Sequence, residues 1–307
     1  MSHFVTETLV TLGRRYVRHG PGHLGKAALA ARYLNPQLRD APRRSVVETR
    51  YGARFAVDTQ DLIQRYLYLF GVWEPHMTSW LRNRLRPGDG FIDVGANIGY
   101  FSVLASQLVG RTGRVVAVEA SPVYHARIMQ NARLNADVDI RVVNTAVSDK
   151  DETLTFVLAS SHNMGAASIV PYEGDAEARF EVAARPLPSL LESDEISRAR
   201  VIKVDVEGAE GGVVRGMVPM LARLRPDAEI TVEVTPERMT RLGESADELV
   251  ETLRGAGFHT YRLPNSYAAE SYPWALREAW PGAVRWRGAV REESDLVFSR
   301  VDAEYLR

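Results

Sequence analysis

The chain of 307 residues has the composition of an ordinary globular protein, with 45% hydrophobic and 25% charged residues. Its 38 basic and 39 acidic side chains nearly cancel, which argues against recognition of nucleic acid or of an anionic membrane through overall charge. The absence of cysteine excludes disulfides, thiol nucleophiles and zinc–thiolate sites. Because no apolar run resembles a signal peptide or a membrane span, we expect a cytoplasmic protein without nucleic-acid or membrane partners.

Residues 1–45 form a basic segment, in which eight Lys or Arg side chains face only Glu7 and Asp40. The break at Gly20-Pro21-Gly22 predicts two short helices, one on each side. Such a charged face is either solvated or a homodimer contact, and the alternative is a docking site for an acidic partner. We therefore predict a helical extension over residues 1–45 and a main domain over residues 46–307.

After a hairpin over residues 45–57 and two helices, a repeating pattern of strand followed by helix begins at residue 90. This alternation predicts a doubly wound α/β fold with seven strands, mainly parallel and with an antiparallel last strand. An added strand is expected around residues 154–158. The predicted sheet strands are Gly90–Val94, Arg114–Glu119, Ile140–Asn144, Ala199–Val204, Glu229–Val234, His259–Arg262 and Asp295–Ser299.

The turn after the first of these strands reads Asp93-Val94-Gly95-Ala96-Asn97-Ile98-Gly99. Its glycines let the backbone turn sharply and approach a ligand at the start of a helix. Glu119 ends the next strand, where an acid can accept hydrogen bonds from both ribose hydroxyls of a nucleoside. The two features together predict a nucleoside-binding site at the carboxyl ends of the strands.

A dinucleotide site is the alternative for such a turn, and two details favour a different ligand. The middle position is Asn97 and the third glycine of the dinucleotide spacing is missing. Asp93 at the end of the strand is unfavourable beside a pyrophosphate but favourable beside the ammonium and sulfonium of S-adenosylmethionine. We therefore predict S-adenosylmethionine as the cofactor.

Four motifs occur in order: Trp73-Glu74-Pro75, the turn from Asp93 to Tyr100, Val118-Glu119, and the block from Lys203 to Glu210. In this order and spacing the chain resembles the FkbM-family methyltransferases over about residues 50–262. The chain departs from the family at Leu187-Pro188-Ser189-Leu190-Leu191, where many members carry a pair of acids, so no role of those acids is carried over.

The resemblance implies the class I, Rossmann-like methyltransferase fold. It also implies methylation of hydroxyl groups, often on sugars or polyketides in secondary metabolism, and thus a place in antibiotic biosynthesis. The cofactor contacts that it implies are Glu74, Asp93, Gly95, Asn97, Gly99, Tyr100, Glu119, Ala120, Asn144 and Ala146.

A hydroxyl acceptor must lose its proton, which requires a base within about 3 Å or a metal that lowers the acceptor's pKa. Asp205 and Glu233 end neighbouring predicted strands and are the main candidates for the base. His162 lies in a loop and is a further candidate, although a lone loop histidine is more often a bystander. No ligand cluster points to a metal site, so Mg²⁺ stays an alternative without a site of its own.

Two acids of the last motif, Glu207 and Glu210, have a simpler role at the positive end of the following helix, and Lys203 is expected to pair with one of them. The segment 263–288 carries Trp274, Trp280 and Trp286 in an irregular stretch. Aromatic rings there could stack on a planar or sugar acceptor as a lid, or form a local core or oligomer contact. N-methylation of a small molecule and a non-catalytic scaffold are the competing functions.

Overall fold

A computed structural model describes residues 3–159, 167–168, 176–277 and 282–306. Besides the α-helices, a π-helix spans Ala30–Leu34 and a 3-10 helix spans Val218–Arg223. The helices are α1 (His3–His19), α2 (Lys26–Leu29), α3 (Asn35–Asp40), α4 (Leu62–Phe70), α5 (Pro75–Arg84), α6 (Tyr100–Val109), α7 (Pro122–Arg133), α8 (Leu187–Leu190), α9 (Ser193–Arg198), α10 (Glu210–Met217), α11 (Pro236–Arg241), α12 (Ala246–Gly255) and α13 (Tyr272–Ala275).

The strands are β1 (Arg44–Glu48), β2 (Arg54–Asp58), β3 (Gly90–Val94), β4 (Arg114–Val118), β5 (Arg141–Val143), β6 (Ala146–Val147), β7 (Glu152–Ala159), β8 (Ala167–Ser168), β9 (Ala176–Arg185), β10 (Ala199–Val204), β11 (Glu229–Val234), β12 (His259–Leu263), β13 (Ala283–Arg285), β14 (Ser294–Ser299) and β15 (Tyr305–Leu306).

The main sheet has nine strands among the described residues, in the order β15-β13-β12-β14-β11-β10-β3-β4-β5. Strands β3, β4, β5, β10 and β11 pair in parallel, and β14 lies antiparallel between β11 and β12. The predicted doubly wound α/β class is thus confirmed, with the seven predicted strands at its centre. Strands β13 and β15 extend one edge, so the segment 263–288 is less irregular than its composition indicates.

The parallel strands are apolar because both faces of the sheet are covered. All five residues of β3 are buried, and Ile92, Ile202 and Ile230 join one core with residues of α10 and α12. Each fully buried aliphatic side chain stabilises the fold by about 1.5–3 kcal/mol. The polar residues at the ends of these strands are therefore held on a rigid frame.

A second, smaller sheet has the order β6-β9-β7-β8 among the described residues. Its main ladder joins β7 to β9 in antiparallel register, with Phe156 stacked on Phe180. Strand β7 is the added strand that the alternation of Leu154, Phe156 and Leu158 predicts.

The chain divides into two compact units, and one of them joins the residues up to Ser79 with the segment that starts at Asn265. Within this N-terminal unit the Tyr66 hydroxyl donates to the backbone oxygen of Tyr267 at 2.8 Å, and Phe70 stacks on Tyr272. Tyr267 and Tyr272 of the segment 263–288 therefore pack on α4, whereas Trp280 lies outside the described residues. The domain boundary at residues 45 and 46 stays a prediction.

The other unit, from Trp80 onward, contains both the main sheet and the second sheet. Its strands carry the turn, Glu119, Asp205 and Glu233, so the candidate site is described within this unit alone.

Candidate active site

The turn after β3 is built from a run of left-handed backbone conformations, with φ of 81° at Gly95, 52° at Asn97 and 80° at Gly99. Asparagine adopts this conformation more readily than most residues, and here its Oδ1 accepts the N–H of Ile98 at 2.8 Å. The backbone N–H groups of Gly95 and Ala96 donate to the Val118 oxygen, at 2.9 and 3.2 Å. The turn is thereby fixed to the end of β4.

Gly95 also lies against the loop that follows β10. A Cβ atom at this position would lie 1.8 Å from the backbone oxygen of Asp205, closer than any real contact. The Asp205 N–H in turn donates to the Val94 oxygen at 3.0 Å. Only glycine allows the cofactor turn and the Asp205 loop to approach so closely.

Glu119 follows β4 directly and is 7% exposed. Its Oε2 accepts the N–H of Asn97 and its Oε1 accepts the N–H of Ser121, both at 2.8 Å. Burial raises the pKa of this carboxyl to about 7, although the two N–H donors act in the opposite direction. Asn144 lies beside it, because its Nδ2 donates to the backbone oxygens of Glu119 and Ala120.

Asp93 lies at the end of β3 and is 1% exposed. Its Oδ2 accepts the Ser102 hydroxyl at 2.6 Å, while its Oδ1 accepts no hydrogen bond from the described residues. Burial raises the pKa of Asp93, and Lys203 and Ser102 oppose this effect. Buried acceptor atoms normally receive a hydrogen bond, so Asp93 Oδ1 could accept one from a cationic ligand group. The ammonium of S-adenosylmethionine would be such a donor.

Lys203 stands opposite Asp93 in the parallel register of β10 and β3. Its Nζ donates to Asp205 Oδ2 at 2.8 Å and lies 5.1 Å from the ring centroid of Phe101. The partner that the structure shows for Lys203 is therefore Asp205, whereas the sequence pointed to Glu207 or Glu210. Two residues apart on one strand, Lys203 and Asp205 point to the same face, and this periodicity brings them together.

Asp205 directly follows β10 and Glu233 is the last residue but one of β11, and their carboxyl groups form a hydrogen bond. Burial alone would raise the pKa of Asp205, but the Lys203 ammonium and the bond from Glu233 outweigh it and lower the pKa. Two carboxyl groups in contact share a proton. In this pair Asp205 is the anion and Glu233 donates.

Glu207 and Glu210, the other acids of the Lys203–Glu210 motif, stabilise the loop between β10 and α10. Glu207, with a φ of 58°, forms an ion pair with Arg238. Glu210 starts α10, and its Oε1 accepts the N–H groups of Val206 and Gly208. Burial raises the pKa of Glu210 to about 7. Both acids therefore belong to the frame that positions Asp205.

The other predicted residues have various locations. Tyr100 is buried as the first residue of α6, Ala120 packs beside the small cluster of Ala146, and Ala146 itself is buried in β6. Glu74 belongs to the N-terminal unit, where it is 3% exposed with a φ of 39°. His162 lies outside the described residues. The cofactor roles of Tyr100, Ala120, Ala146 and Glu74 stay predictions, and so does the role of His162 as a base.

Two residues of the site escape sequence reasoning. Ser102, in the first turn of α6, bonds to Asp93, and Asp295 faces Glu233 in the antiparallel register of β14. Asp295 is 5% exposed in a fully buried strand. An acid inside an otherwise apolar strand is the signal that could have drawn attention to it.

In the part of the chain that the structure describes, no group of three or more His, Asp or Glu side chains is arranged to hold a metal ion. A search of the same residues finds no helix long and apolar enough to cross a membrane.

Comparison with known proteins identifies related chains. The family model described as Methyltransferase FkbM domain matches residues 93–260, more than half of the chain. The protein-L-isoaspartate O-methyltransferase of Caenorhabditis elegans is 31% identical over 116 residues, which is 36% of this chain and 52% of that protein. The hexuronic acid methyltransferase AglP of Haloferax volcanii is 27% identical over 193 residues, 62% of this chain and 76% of the relative.

Among solved structures, a methyltransferase FkbM from Methylobacillus flagellatus is 13% identical with a TM-score of 0.41, over 77% of this chain and 52% of that one. The chain thus spans about half the length of the first curated relative and of this solved structure. The matched range of the family model runs from Asp93 through Glu119, Asp205 and Glu233 to β12. On the strength of that match, the chain belongs to the FkbM methyltransferase family, and the predicted class I methyltransferase fold is confirmed.

Proposed function

We propose that this protein transfers a methyl group from S-adenosylmethionine to a hydroxyl of a small molecule, either sugar-bearing or polyketide-like. The observation that carries the proposal is the carboxyl pair of Asp205 and Glu233 beside the cofactor turn. The Asp205 side chain is 23% exposed, whereas Lys203 beneath it is 5% exposed. An ionised, accessible carboxylate at the carboxyl ends of parallel strands is suited to act as a base.

When bound, S-adenosylmethionine supplies an electrophilic methyl group with a good leaving group, so the protein has mainly to position the acceptor and take up its proton. Asp93 and Glu119 would hold the cofactor through its ammonium and its ribose. Asp205 would accept the proton of the acceptor hydroxyl, and the hydrogen bond from Glu233 would fix the orientation of that carboxylate.

The first test is calorimetry with S-adenosylmethionine, because absence of binding by the purified protein would exclude the enzyme and not only one acceptor. A screen of hydroxylated metabolites, scored by formation of S-adenosylhomocysteine, then identifies the acceptor. Running the screen with and without a chelator decides the alternative in which Mg²⁺ lowers the pKa of the acceptor.

A second candidate acceptor is a carboxyl group, since the names of both curated relatives refer to acids, isoaspartate and hexuronic acid. A carboxylate is already ionised at pH 7 and needs no base, and the same holds for an unprotonated amine in the N-methylation alternative. Activity that survives Asp205→Asn combined with Glu233→Gln would favour these acceptors.

A further inference from the structure

Lys203 is a buried cation on β10 that contacts the candidate base. Its Nζ contacts Asp205 at 2.8 Å, and in register it faces Asp93 on the neighbouring strand. Burying an ammonium is costly unless paired acids compensate. A side chain that is 4% exposed and paired with the candidate base invites a functional explanation.

Most of the charged side chains around Asp205 are carboxylic acids, and they come from several elements packed around its loop. Without a nearby cation, the Asp205 carboxylate would take up a proton in such surroundings. The charged and titratable groups that face Asp205 are Lys203 on β10, Asp93 on β3, Glu119 after β4, Glu210 on α10, Glu233 on β11 and Arg238 on α11.

Lys203 contacts the carboxyl pair through Asp205. Its bond is to Asp205 Oδ2, while Glu233 bonds to the same carboxyl group from the next strand. Because two touching carboxyl groups hold a shared proton, a cation on one of them decides which group is ionised. Here the ammonium bonded to Asp205 favours the negative charge on that carboxyl group.

We propose that Lys203 is a positioning residue of the methyl transfer, which keeps Asp205 ionised and oriented to accept the acceptor's proton while Glu233 retains the proton that the pair shares. This inference rests on the proposed function, since it assumes a hydroxyl acceptor and Asp205 as its base. The proton moves from the acceptor oxygen to Asp205, and Lys203 stays protonated throughout.

The test is the pH dependence of kcat/KM for Lys203→Met, which removes the charge and keeps most of the side-chain volume. We expect the acidic limb of the profile to move up by about one pH unit or more, because an opposite charge in contact shifts a carboxyl by about 1–3 units. The loss of activity is therefore largest on the acidic side of the profile and shrinks as the pH rises toward 7 and above. The Kd for S-adenosylmethionine changes much less than kcat.

Lys150→Met is the matched control, because Lys150 also pairs with an acid, Glu152 at 3.4 Å, but is 69% exposed. Its profile should match that of the unmodified protein. A folded Lys203→Met protein with an unmoved acidic limb, or with a loss of activity equal at every pH, would overturn the proposal.

A chemical rescue keeps the test valid if Lys203→Met fails to fold. The chain contains no cysteine, so Lys203→Cys creates a single thiol. Alkylation under denaturing conditions with bromoethylamine restores an ammonium at this position, and iodoacetamide gives a neutral group by the same route. The inference requires the aminoethylated, refolded protein to regain the original acidic limb and the neutral form not to; equal profiles contradict it.

Failure of this inference and failure of the proposed function give different results. If the unmodified protein methylates no hydroxyl, or Asp205→Asn leaves its activity intact, the proposed function fails. If Asp205→Asn abolishes methylation but the charge at position 203 leaves the pH profile unchanged, only the role of Lys203 fails.

Discussion

The two sides of the site, the cofactor turn after β3 and the carboxyl pair at the ends of β10 and β11, are built in different ways. The turn depends on backbone conformations of consecutive residues, Gly95 to Gly99, together with one acid, Glu119. The carboxyl pair depends on side chains from two strands that meet only in the folded sheet. A ligand site formed by backbone groups can be recognised from a short sequence motif. A site formed by side chains of different strands can be recognised only when the strand order is known.

This contrast predicts that the two sides can be damaged separately, and the largest expected effect is on the acceptor side. Asp205→Asn should lower kcat by about 10²–10⁴-fold, because a positioned general base contributes that much. The Kd for S-adenosylmethionine should stay within about threefold, as measured by calorimetry. Asp149→Asn is the control, since Asp149 also bonds to a basic side chain, Arg215 at 2.9 Å, away from the strand ends. If Asp205→Asn also lost cofactor affinity, the prediction that the two sides can be damaged separately would be wrong.

Gly95→Ala should damage both sides at once, because this glycine is where they touch. The new Cβ would collide with the backbone of the Asp205 loop at a φ of 81°, and we expect the free energy of unfolding to fall by about 3 kcal/mol. Chemical denaturation measures the change. Gly52→Ala separates the two causes, because Gly52 has a φ of 82° but open space around it. An equal loss in both variants would show that only the backbone conformation matters.

Glu119→Gln tests the cofactor side alone. Loss of a hydrogen bond to a charged group should weaken S-adenosylmethionine binding by about 1.5–3 kcal/mol, which is roughly 10- to 150-fold in Kd. At saturating cofactor kcat should be close to that of the unmodified protein. Calorimetry and steady-state kinetics on the same sample check both expectations, and a kcat that falls as far as in Asp205→Asn would contradict them.

The smallest expected effect is the pH dependence of cofactor affinity. Without ligand the pKa of Glu119 is raised to about 7, so the carboxyl is half protonated at neutral pH. Hydrogen bonds from ribose hydroxyls favour the carboxylate, so binding should release a proton and affinity should rise about tenfold between pH 6 and 8.

Calorimetry in two buffers of different ionisation enthalpy counts the released protons. An affinity that is flat or falls over this range would mean that Glu119 does not change its charge on binding. The slope should vanish in Glu119→Gln.

The same raised pKa has a consequence for stability. Because the folded carboxyl holds its proton up to about pH 7, whereas it is lost near 4.5 in the unfolded chain, the ligand-free fold loses stability as the pH rises through this window. The buried Glu210, whose pKa is also raised to about 7, acts in the same direction. Without ligand, the Glu119 carboxyl on the cofactor side is therefore partly protonated at neutral pH.

Sequence patterns predicted the central strands closely, with Ala199–Val204 and Glu229–Val234 matching at both ends. Both strands are rich in the β-branched residues Val and Ile, which favour extended backbone. The helix after the Lys203–Glu210 block begins at Glu210 itself, whose side chain accepts hydrogen bonds from the preceding loop. Strands β13 and β15 escaped prediction because short edge strands depend on their neighbours for pairing.

What the sequence by itself determined was the cofactor turn from Asp93 to Gly99 with Glu119, since left-handed glycines and a strand-ending acid act through local backbone geometry. Only the tertiary structure decided that Lys203 pairs with Asp205, that Glu233 shares a proton with Asp205, and that Ser102 bonds to Asp93. The contacts of Glu233 with Asp205 and of Ser102 with Asp93 join different elements of the fold. Lys203 and Asp205 are close in the chain. The strength of these contacts depends on burial, and burial is a property of the assembled sheet.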